Sequence, residues 1–490
     1  MTDISSKIVK NSFFVYVGKI INLSISFFIF IHIANYLGEE LFGKFSIAIA
    51  YIATFGILVN FGLNQFLVRE LSAQKFDQKQ ILGAGILFKL LLTIIALIIA
   101  SITAQFFNYS HETVILIWII SFNLITSSKL QSTRMVFESI FQAQLKMKYP
   151  IIFNVIDNLV FAALIIVFTV IYPGNLITIA IIYVICNLPG AVMLIYKFFN
   201  NISVSFVFDC SMIKYIFIES FPLFLYIMFS TLNTKIDILM LSSYKGDADV
   251  GYFSAAFRLV YPLIFLSTSF SISLFPLLSK YIENNKSEFT KFVKIGFKFI
   301  ILLGVFLATF GAFHAKKIIL TLYVSSFEPA AASFQILIVC LGFIFINFYF
   351  VDIFVAARKQ TLLTFIMATA LAINIILNIF LIPKFGHIGA SYVRLFTYFF
   401  IFVLFNLLLY FKLKIRGVFE YNKMILLTAI FLLSQILFKN INLLLAFILS
   451  VFVFGGLCLI FKIISIREVE LLKRILQNKK TNFKETIIKS

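Results

Sequence analysis

The feature that most constrains this chain is a series of long apolar segments that recurs along its whole length. Most of these segments reach about 18 residues or more, which is the length an α-helix needs to cross the ~30 Å hydrocarbon core of a bilayer. Membrane-spanning barrels instead show alternating segments of about ten residues. Because a spanning helix satisfies all of its own backbone groups, the sequence predicts an all-α polytopic membrane protein.

Composition excludes a soluble fold. Of the 490 residues, 61% are hydrophobic and 13% are charged, whereas soluble domains carry about 25% charged residues. Lys7 and Lys10 precede the first apolar run, as they would in a signal peptide. That run continues to about residue 35 without a compact small-residue cleavage site, so we expect it to be the first membrane span.

The apolar segments predict about fourteen transmembrane helices. The last two are short and joined at Lys439-Asn440, so twelve full spans plus a re-entrant pair is the alternative. The predicted spans are 11–35, 44–66, 81–107, 113–139, 150–172, 176–196, 215–242, 250–279, 292–314, 330–356, 361–382, 388–410, 424–438 and 442–461.

The distribution of Lys and Arg predicts the orientation of these helices. With the N-terminus in the cytosol, most basic residues outside the spans fall on the cytosolic side, as the positive-inside rule requires. Both termini are therefore expected inside. The net charge of +20 is explained by this orientation and by anionic lipid, so we expect no nucleic-acid partner. The basic segment 465–490 has helical apolar spacing typical of a helix on the membrane surface.

An internal duplication is visible at a shift of 208 residues. The segment 36–48 (YLGEELFGKFSIA) matches 244–256 (YKGDADVGYFSAA) at six positions. An even number of helices per repeat gives parallel lobes related by an axis along the membrane normal. We expect an N-lobe at 1–200, a C-lobe at 201–412, two extra helices at 413–464 and a cytosolic tail at 465–490. The repeated glycines, expected to shape the outer turn and allow close packing, are Gly38, Gly43, Gly246 and Gly251.

Basic residues inside the predicted spans are the candidate substrate contacts. Each would cost about 2.5–3.5 kcal/mol at a lipid-exposed helix centre. We expect them to line a water-filled cavity between the lobes, with ion pairing inside a lobe as the alternative. The candidate contacts are Lys19, Arg258, Arg394, Lys89 and Lys235. The acidic residues available for pairing or for ion coupling are Asp157, Glu219 and Asp237. Arg134 and Glu138, four residues apart near the cytosolic end of helix 4, are expected to pair with each other.

These charges are not repeated at the shift of 208, since Arg258 corresponds to Ala50 and Lys19 to Ile227. This pattern is expected if the charges serve one asymmetric ligand. An excess of cations indicates an anionic ligand, and Arg in particular binds phosphate oxygens with two parallel hydrogen bonds. The four Cys and four His residues show no metal-ligand spacing, and no phosphate-binding loop or nucleophile–base pattern is present. We expect neither a cofactor nor an enzymatic activity.

Four segments resemble the polysaccharide (Wzx-type) flippase branch of the multidrug/oligosaccharidyl-lipid/polysaccharide (MOP) exporter superfamily. They are LGEELFGKF at 37–45, DILMLSSYKGDADVGYFSAAFR at 237–258, FPLLS at 275–279 and NIILNIFLIPKFGHIGA at 374–390. The last segment contains Asn374 and Asn378, expected to hydrogen-bond between helices, and Pro383, expected to end helix 11.

The resemblance implies a V-shaped, two-lobe transporter that works as a monomer in the bacterial inner membrane. It implies a lipid substrate, an undecaprenyl-diphosphate-linked oligosaccharide moved from the inner to the outer leaflet, whose diphosphate would be the anionic group. A polysaccharide polymerase and chain-length proteins are the implied partners. One alternative is a cation-coupled multidrug antiporter of the same fold, which should present acidic rather than basic cavity residues. Another is a membrane glycan polymerase, although the longest outer loop, about 315–329, is short for a catalytic loop.

Overall fold

The structure, a computed structural model, describes residues 2–463 apart from 75, 108, 207–208 and 416–420. The tail helix predicted within 465–490 lies outside the described residues. Within the described residues the regular secondary structure is entirely helical. The α-helices are α1 (Thr2–Asn60), α2 (Leu63–Ala73), α3 (Gln78–Thr103), α4 (His111–Ser121), α5 (Asn123–Thr126), α6 (Arg134–Ala143), α7 (Lys148–Ile166), α8 (Leu176–Ile185), α9 (Leu188–Asn201), α10 (Cys210–Lys245), α11 (Asp247–Val260), α12 (Ile264–Asn284), α13 (Lys286–Phe313), α14 (Ala315–Leu322), α15 (Ala330–Ala356), α16 (Gln360–Lys412), α17 (Tyr421–Leu437) and α18 (Leu443–Ile460).

Ten helical segments in the described part of the chain are long and apolar enough to cross a membrane. Two of them, Phe14–Ala73 and Gln360–Lys412, have 60 and 53 residues, and at 1.5 Å per residue each is far too long for one crossing. Gly38 and Gly386 interrupt these two helices with non-helical backbone angles. Dividing them there, and adding the shorter apolar helices at 111–126 and 423–437, gives fourteen segments. The predicted all-α polytopic fold is confirmed.

Helix 4 differs from its prediction. The predicted continuous span 113–139 is instead α4, α5 and α6, with a non-helical segment at 127–133. That segment reads SSKLQST, and hydroxyl side chains compete with the helix for backbone groups. Ser127 Oγ accepts from the amides of Lys129 and Leu130, at 2.9 and 3.1 Å, and Ser132 Oγ donates to the Ser127 carbonyl at 2.6 Å. Local hydrogen bonds thus replace about two helical turns.

The end of helix 11 also differs from its prediction. Pro383 was expected to end this helix, but α16 continues past it to Gly386, where φ is 54° and ψ is −133°. Proline in a helix removes one backbone donor, which neighbouring groups in membrane helices can tolerate. The glycine therefore marks the turn, because its backbone adopts angles that other residues rarely reach.

The duplicated motif has the same backbone conformation in both copies. Gly38 has φ 74° and ψ 175°, and Gly246 has φ 90° and ψ −171°. This region of backbone space is open essentially to glycine alone. Each glycine is followed directly by a helical segment, so the motif forms the turn between two antiparallel membrane helices in each repeat.

The chain divides into two compact units, residues 3–254 and the described residues from 255 onward. In the first unit, α10 packs against α2 and α3, and the side chains of Phe61, Phe217 and Phe224 stack where they meet. The second unit is built on α13, α15 and α16, and α17 and α18 pack on α13. The lobes 1–200 and 201–412 stay a prediction from the duplication, and the compact units do not divide at that boundary.

Candidate functional site

A buried ion pair lies where helix 4 is broken. Arg134 Nη1 is 2.5 Å from Asp157 Oδ2, and the two side chains are 1% and 0% exposed. Charges at membrane depth are rare and occur where they pair or serve function. Removing one partner of such a pair typically costs about 3–5 kcal/mol because the other charge is left buried. The pair therefore holds α6 to α7.

Asp157 is also bound by the start of α9. The amide of Gly190 donates to Asp157 Oδ1 at 2.7 Å. The first turn of a helix carries unsatisfied amides and a partial positive charge, which favour an anion there. A Cβ atom at Gly190 would lie 2.5 Å from both carboxylate oxygens, so only glycine fits. The Asp157 carboxylate is thus fixed from two sides.

Arg134 links the break in helix 4 with a second break. The second break lies in the sixth predicted span, helix 6 (176–196), which is divided into α8 and α9. The Arg134 guanidinium donates to the Thr126 carbonyl at 3.3 Å and to the Asn187 carbonyl at 3.4 Å, and Nη2 donates to Asn154 Oδ1 at 2.7 Å. Asn187 lies between α8 and α9, and its amide donates to Asn123 Oδ1 at 2.9 Å. Backbone groups freed by helix breaks need such partners in a bilayer.

Three further charged groups lie beside this pair. Glu138 Oε1 is 3.5 Å from Arg134 Nε, so the predicted pairing of these two residues is present. Lys89, on α3, is fully buried and donates to Asn64 Oδ1 at 2.8 Å. Lys129, in the break itself, lies 3.9 Å from the centre of the Phe161 ring, a favourable cation–π geometry.

The sequence reasoning missed this cluster. It placed Arg134 near the cytosolic membrane surface with Glu138, whereas the structure buries Arg134 against Asp157. Two signals were available: an aspartate inside the predicted span 150–172, and the hydroxyl-rich segment 127–133 inside the predicted span 113–139. Together they indicate a broken helix with an internal cation and a carboxylate on the neighbouring helix.

The other predicted site residues of the first unit are dispersed. Lys19 is exposed, and Lys235 is half-buried. Asp237 is fully buried on α10. Glu219 Oε2 is 2.7 Å from Arg69 Nη2, and both side chains are substantially exposed. This pair links α10 to α2.

The second unit holds the two candidate arginines. Arg394, on α16, is 1% exposed, and its guanidinium carbon lies 4.2 Å from the centre of the Phe257 ring. Arg258 is half-buried on α11 and interacts electrostatically with Tyr323. Burial raises the pKa of Tyr323, whose hydroxyl donates to the Ala255 carbonyl at 3.1 Å.

The two asparagines of the last motif are buried on α16. Asn378 Nδ2 donates to Asn374 Oδ1 at 2.8 Å, and Asn374 Nδ2 donates to Thr397 Oγ1 at 3.3 Å. The Asn374–Thr397 bond joins the two halves of α16 on either side of Gly386. This geometry agrees with hydrogen bonding between helices rather than with an open polar site.

The repeated outer turns approach each other within the first unit. A Cβ atom at Gly43 would lie 1.8 Å from the Asp247 carbonyl oxygen, and one at Gly251 would lie 2.0 Å from that of Glu39. Glu39 and Asp247 correspond at the shift of 208, as do the two glycines. The contact is therefore reciprocal, like an isologous interface between two copies. Tyr109 lies near Asp247 of this contact, and burial raises the pKa of the Tyr109 hydroxyl to about 12.

Comparisons with known proteins agree with these features. A family model described as polysaccharide biosynthesis protein matches residues 8–282, more than half of the chain, and the MatE family model matches residues 222–380. No curated protein matches the sequence.

Among solved structures, the chain is similar to the lipid II flippase MurJ in its inward closed conformation. The identity is 19% and the TM-score 0.74, over 95% of this chain and 100% of MurJ. It is also similar to the Vibrio cholerae MATE transporter VcmN (14% identity, TM-score 0.53, 83% and 97% covered) and to a MOP superfamily transporter from Pyrococcus furiosus (14%, 0.57, 84% and 96%). At these identities the likeness shows the fold alone. With the family match over more than half of its length, the chain belongs to the polysaccharide biosynthesis protein family.

Proposed function

We propose that this protein is a flippase that moves an undecaprenyl-diphosphate-linked oligosaccharide from the cytosolic to the outer leaflet of the bacterial inner membrane. The observation that carries the proposal is the polysaccharide biosynthesis match over residues 8–282, together with a fold similar to a lipid II flippase over 95% of the chain. Alternating access by two parallel repeats would expose the substrate to each side in turn. Both termini lie in the cytosol in this proposal, and the protein works as a monomer beside a polymerase and chain-length proteins.

The proposed contacts to the diphosphate or to acidic sugars are the five predicted cations. Arg258 and Arg394 are the main ones, because guanidinium groups bind phosphate oxygens in bidentate geometry. Lys19 is exposed and Lys235 half-buried, while Lys89 is enclosed and would reach substrate only after its surroundings open. Among the acidic candidates, the contacts of Asp157 with Arg134 and of Glu219 with Arg69 support pairing.

The test is the Arg258→Ala/Arg394→Ala double variant in cells whose surface glycan depends on this protein. Charge-assisted hydrogen bonds contribute about 1.5–3 kcal/mol each. Export should therefore fall by about tenfold or more for each arginine lost, with normal amounts of protein in the membrane. Surface glycan and membrane levels are measured together by blotting. Lys291→Ala, a half-exposed cation paired with Glu288 on α13, is the control and should export normally. Full surface glycan in the double variant would overturn the assignment of these residues.

A multidrug antiporter is the second candidate, and the MatE match at residues 222–380 favours it. Overexpression in a drug-sensitive host separates the two functions. A flippase of lipid-linked sugar should leave drug resistance unchanged, whereas resistance that requires an ion gradient would favour the antiporter. The proposal includes no catalysis, so glycan polymerisation by the purified protein would contradict it.

A further inference from the structure

Arg134 is flanked by two carboxylates whose surroundings differ. The Asp157 carboxylate receives Arg134 Nη1 at 2.5 Å and the Gly190 amide at 2.7 Å, one on each oxygen. The guanidinium and the helix N-terminus both favour the ionised form of this carboxylate, and burial opposes them. Asp157 therefore acts as a fixed counter-charge to Arg134.

Glu138 is held less firmly. Its Oε1 atom is buried, has no hydrogen-bond partner among the described residues, and lies 3.5 Å from Arg134 Nε. Its side chain as a whole is 18% exposed. Glu138 Oε1 can therefore carry a proton without losing a hydrogen bond, whereas each Asp157 oxygen already accepts one.

The charged groups that face Glu138 are Arg134 on its own helix, Lys89 from α3 and Asp157 from α7, and the Asn154 side chain of α7 is hydrogen-bonded to the Glu138 carboxylate. The basic neighbours favour the ionised carboxylate, whereas burial and the adjacent Asp157 carboxylate favour the protonated form. Within the described residues no group of three His, Cys, Asp or Glu side chains is placed to hold a metal. A single carboxylate can hold a proton without further ligands, so a proton is the cation that suits this site.

We propose that Glu138 is the proton-binding residue that couples an ion gradient to transport. With Glu138 ionised, the carboxylates Glu138 and Asp157 face the basic groups of Arg134, Lys89 and Lys129. When the carboxylate takes up a proton, the cluster gains one positive charge and Glu138 no longer attracts Arg134. Arg134 bridges the broken ends of helices 4 and 6, so this change acts on both helix breaks at once. The coupling role rests on the proposed transport function, whereas the proton site does not.

The proton site is tested without substrate. Purified, lipid-reconstituted protein is titrated with pH while infrared difference spectra record protonated carboxyl groups. The wild type should show a buried carboxyl signal that Glu138→Gln abolishes. Asp352→Asn, which removes another carboxylate inside a membrane helix, should leave that signal in place. Retention of the whole signal in Glu138→Gln would overturn the proposal.

Glu138→Asp is the control for a folding defect in the glutamine variant. Because it keeps a carboxyl group, its infrared signal should persist with a shifted frequency. In vesicles, transport of an undecaprenyl-diphosphate-linked sugar should respond to an imposed pH gradient in the wild type and in Glu138→Asp. The response should be lost in Glu138→Gln. Absence of transport in the wild type would contradict the flippase function and leave the infrared result standing. An unchanged gradient response in Glu138→Gln would contradict the coupling role alone.

Discussion

Arg134 places a positive charge among apolar membrane helices, and its stability there depends on the groups around it. Isolated burial of a charge is prohibitive, but this guanidinium has a carboxylate, an amide oxygen and two backbone carbonyls within hydrogen-bond distance. Glycine at position 190 allows the carboxylate to approach α9. The site thus depends on a residue without a side chain as much as on its charges.

Gly190→Ala should destabilise the protein by about 1–3 kcal/mol, the usual cost of forcing extra atoms into a packed interior. The new methyl group would lie 2.5 Å from both Asp157 oxygens and push the carboxylate from Arg134. Thermal unfolding in detergent measures the change. Gly456→Ala, on α18 with open space around its Cβ position, is the control, and it should be neutral or stabilising because alanine favours helix. Equal melting temperatures for the two variants would contradict this account.

Gly38 and Gly246 should each be intolerant of asparagine as well as alanine. Asparagine tolerates the left-handed helical region, but ψ near 180° combined with positive φ is open essentially to glycine alone and costs about 1–3 kcal/mol for other residues. No atom lies within 4 Å of a Cβ at either position, so the loss is one of backbone conformation. The melting temperatures of Gly38→Asn and Gly246→Asn should fall to a similar extent. A neutral asparagine variant would show that the turn adopts other angles.

At the scale of the elements, helices 4 and 6 are broken and two repeated turns touch. The breaks are stabilised by side chains, and the turns by close approach of their backbones. The contact between the turns pairs Gly43 with Asp247 and Gly251 with Glu39, so the two repeats contribute equivalent residues to it.

Gly43→Ala and Gly251→Ala should each separate these turns, because each added methyl group meets a main-chain carbonyl that has little freedom to move. Both substitutions disturb one contact, so the double variant should lose less stability than the sum of the single losses. Chemical or thermal unfolding of the three variants measures this coupling. Strict additivity would indicate that the two glycines act at independent contacts.

At the scale of the whole molecule, the fourteen apolar segments and the basic residues between them determine how the chain crosses the membrane. The proposed orientation places the start of α10 in the cytosol. Cys210 is exposed there, whereas Cys186, Cys340 and Cys458 are buried. The native cysteines therefore report on topology.

A membrane-impermeant maleimide should label the wild type in inverted vesicles and leave it unlabelled in intact spheroplasts. Cys210→Ser should abolish the labelling, since the other three thiols are enclosed. The modification is detected as a mass shift on gels. Labelling of Cys210 in intact spheroplasts would reverse the proposed orientation of the chain.

The sequence by itself determined the class of fold, the number of apolar segments and the repeated turn. These properties follow from hydrocarbon thickness and from glycine stereochemistry, which act on segments that are contiguous in the chain. Gly38 and Gly246 were identifiable because a local rule requires glycine at both turns. Family membership was recognisable for the same reason, since its motifs are short contiguous stretches.

The tertiary structure alone decided which buried charges meet. Arg134 and Asp157 are 23 positions apart, and Gly190 is another 33 positions from Asp157, so no helical periodicity relates them. The break in helix 4 depends on residues with hydroxyl side chains. These residues can also occur inside a helix, but here their hydroxyl groups hydrogen-bond to nearby backbone groups instead. A charge inside the bilayer must find a partner, but only the packing of α6, α7 and α9 determines which one, because desolvation makes every unpaired alternative more costly.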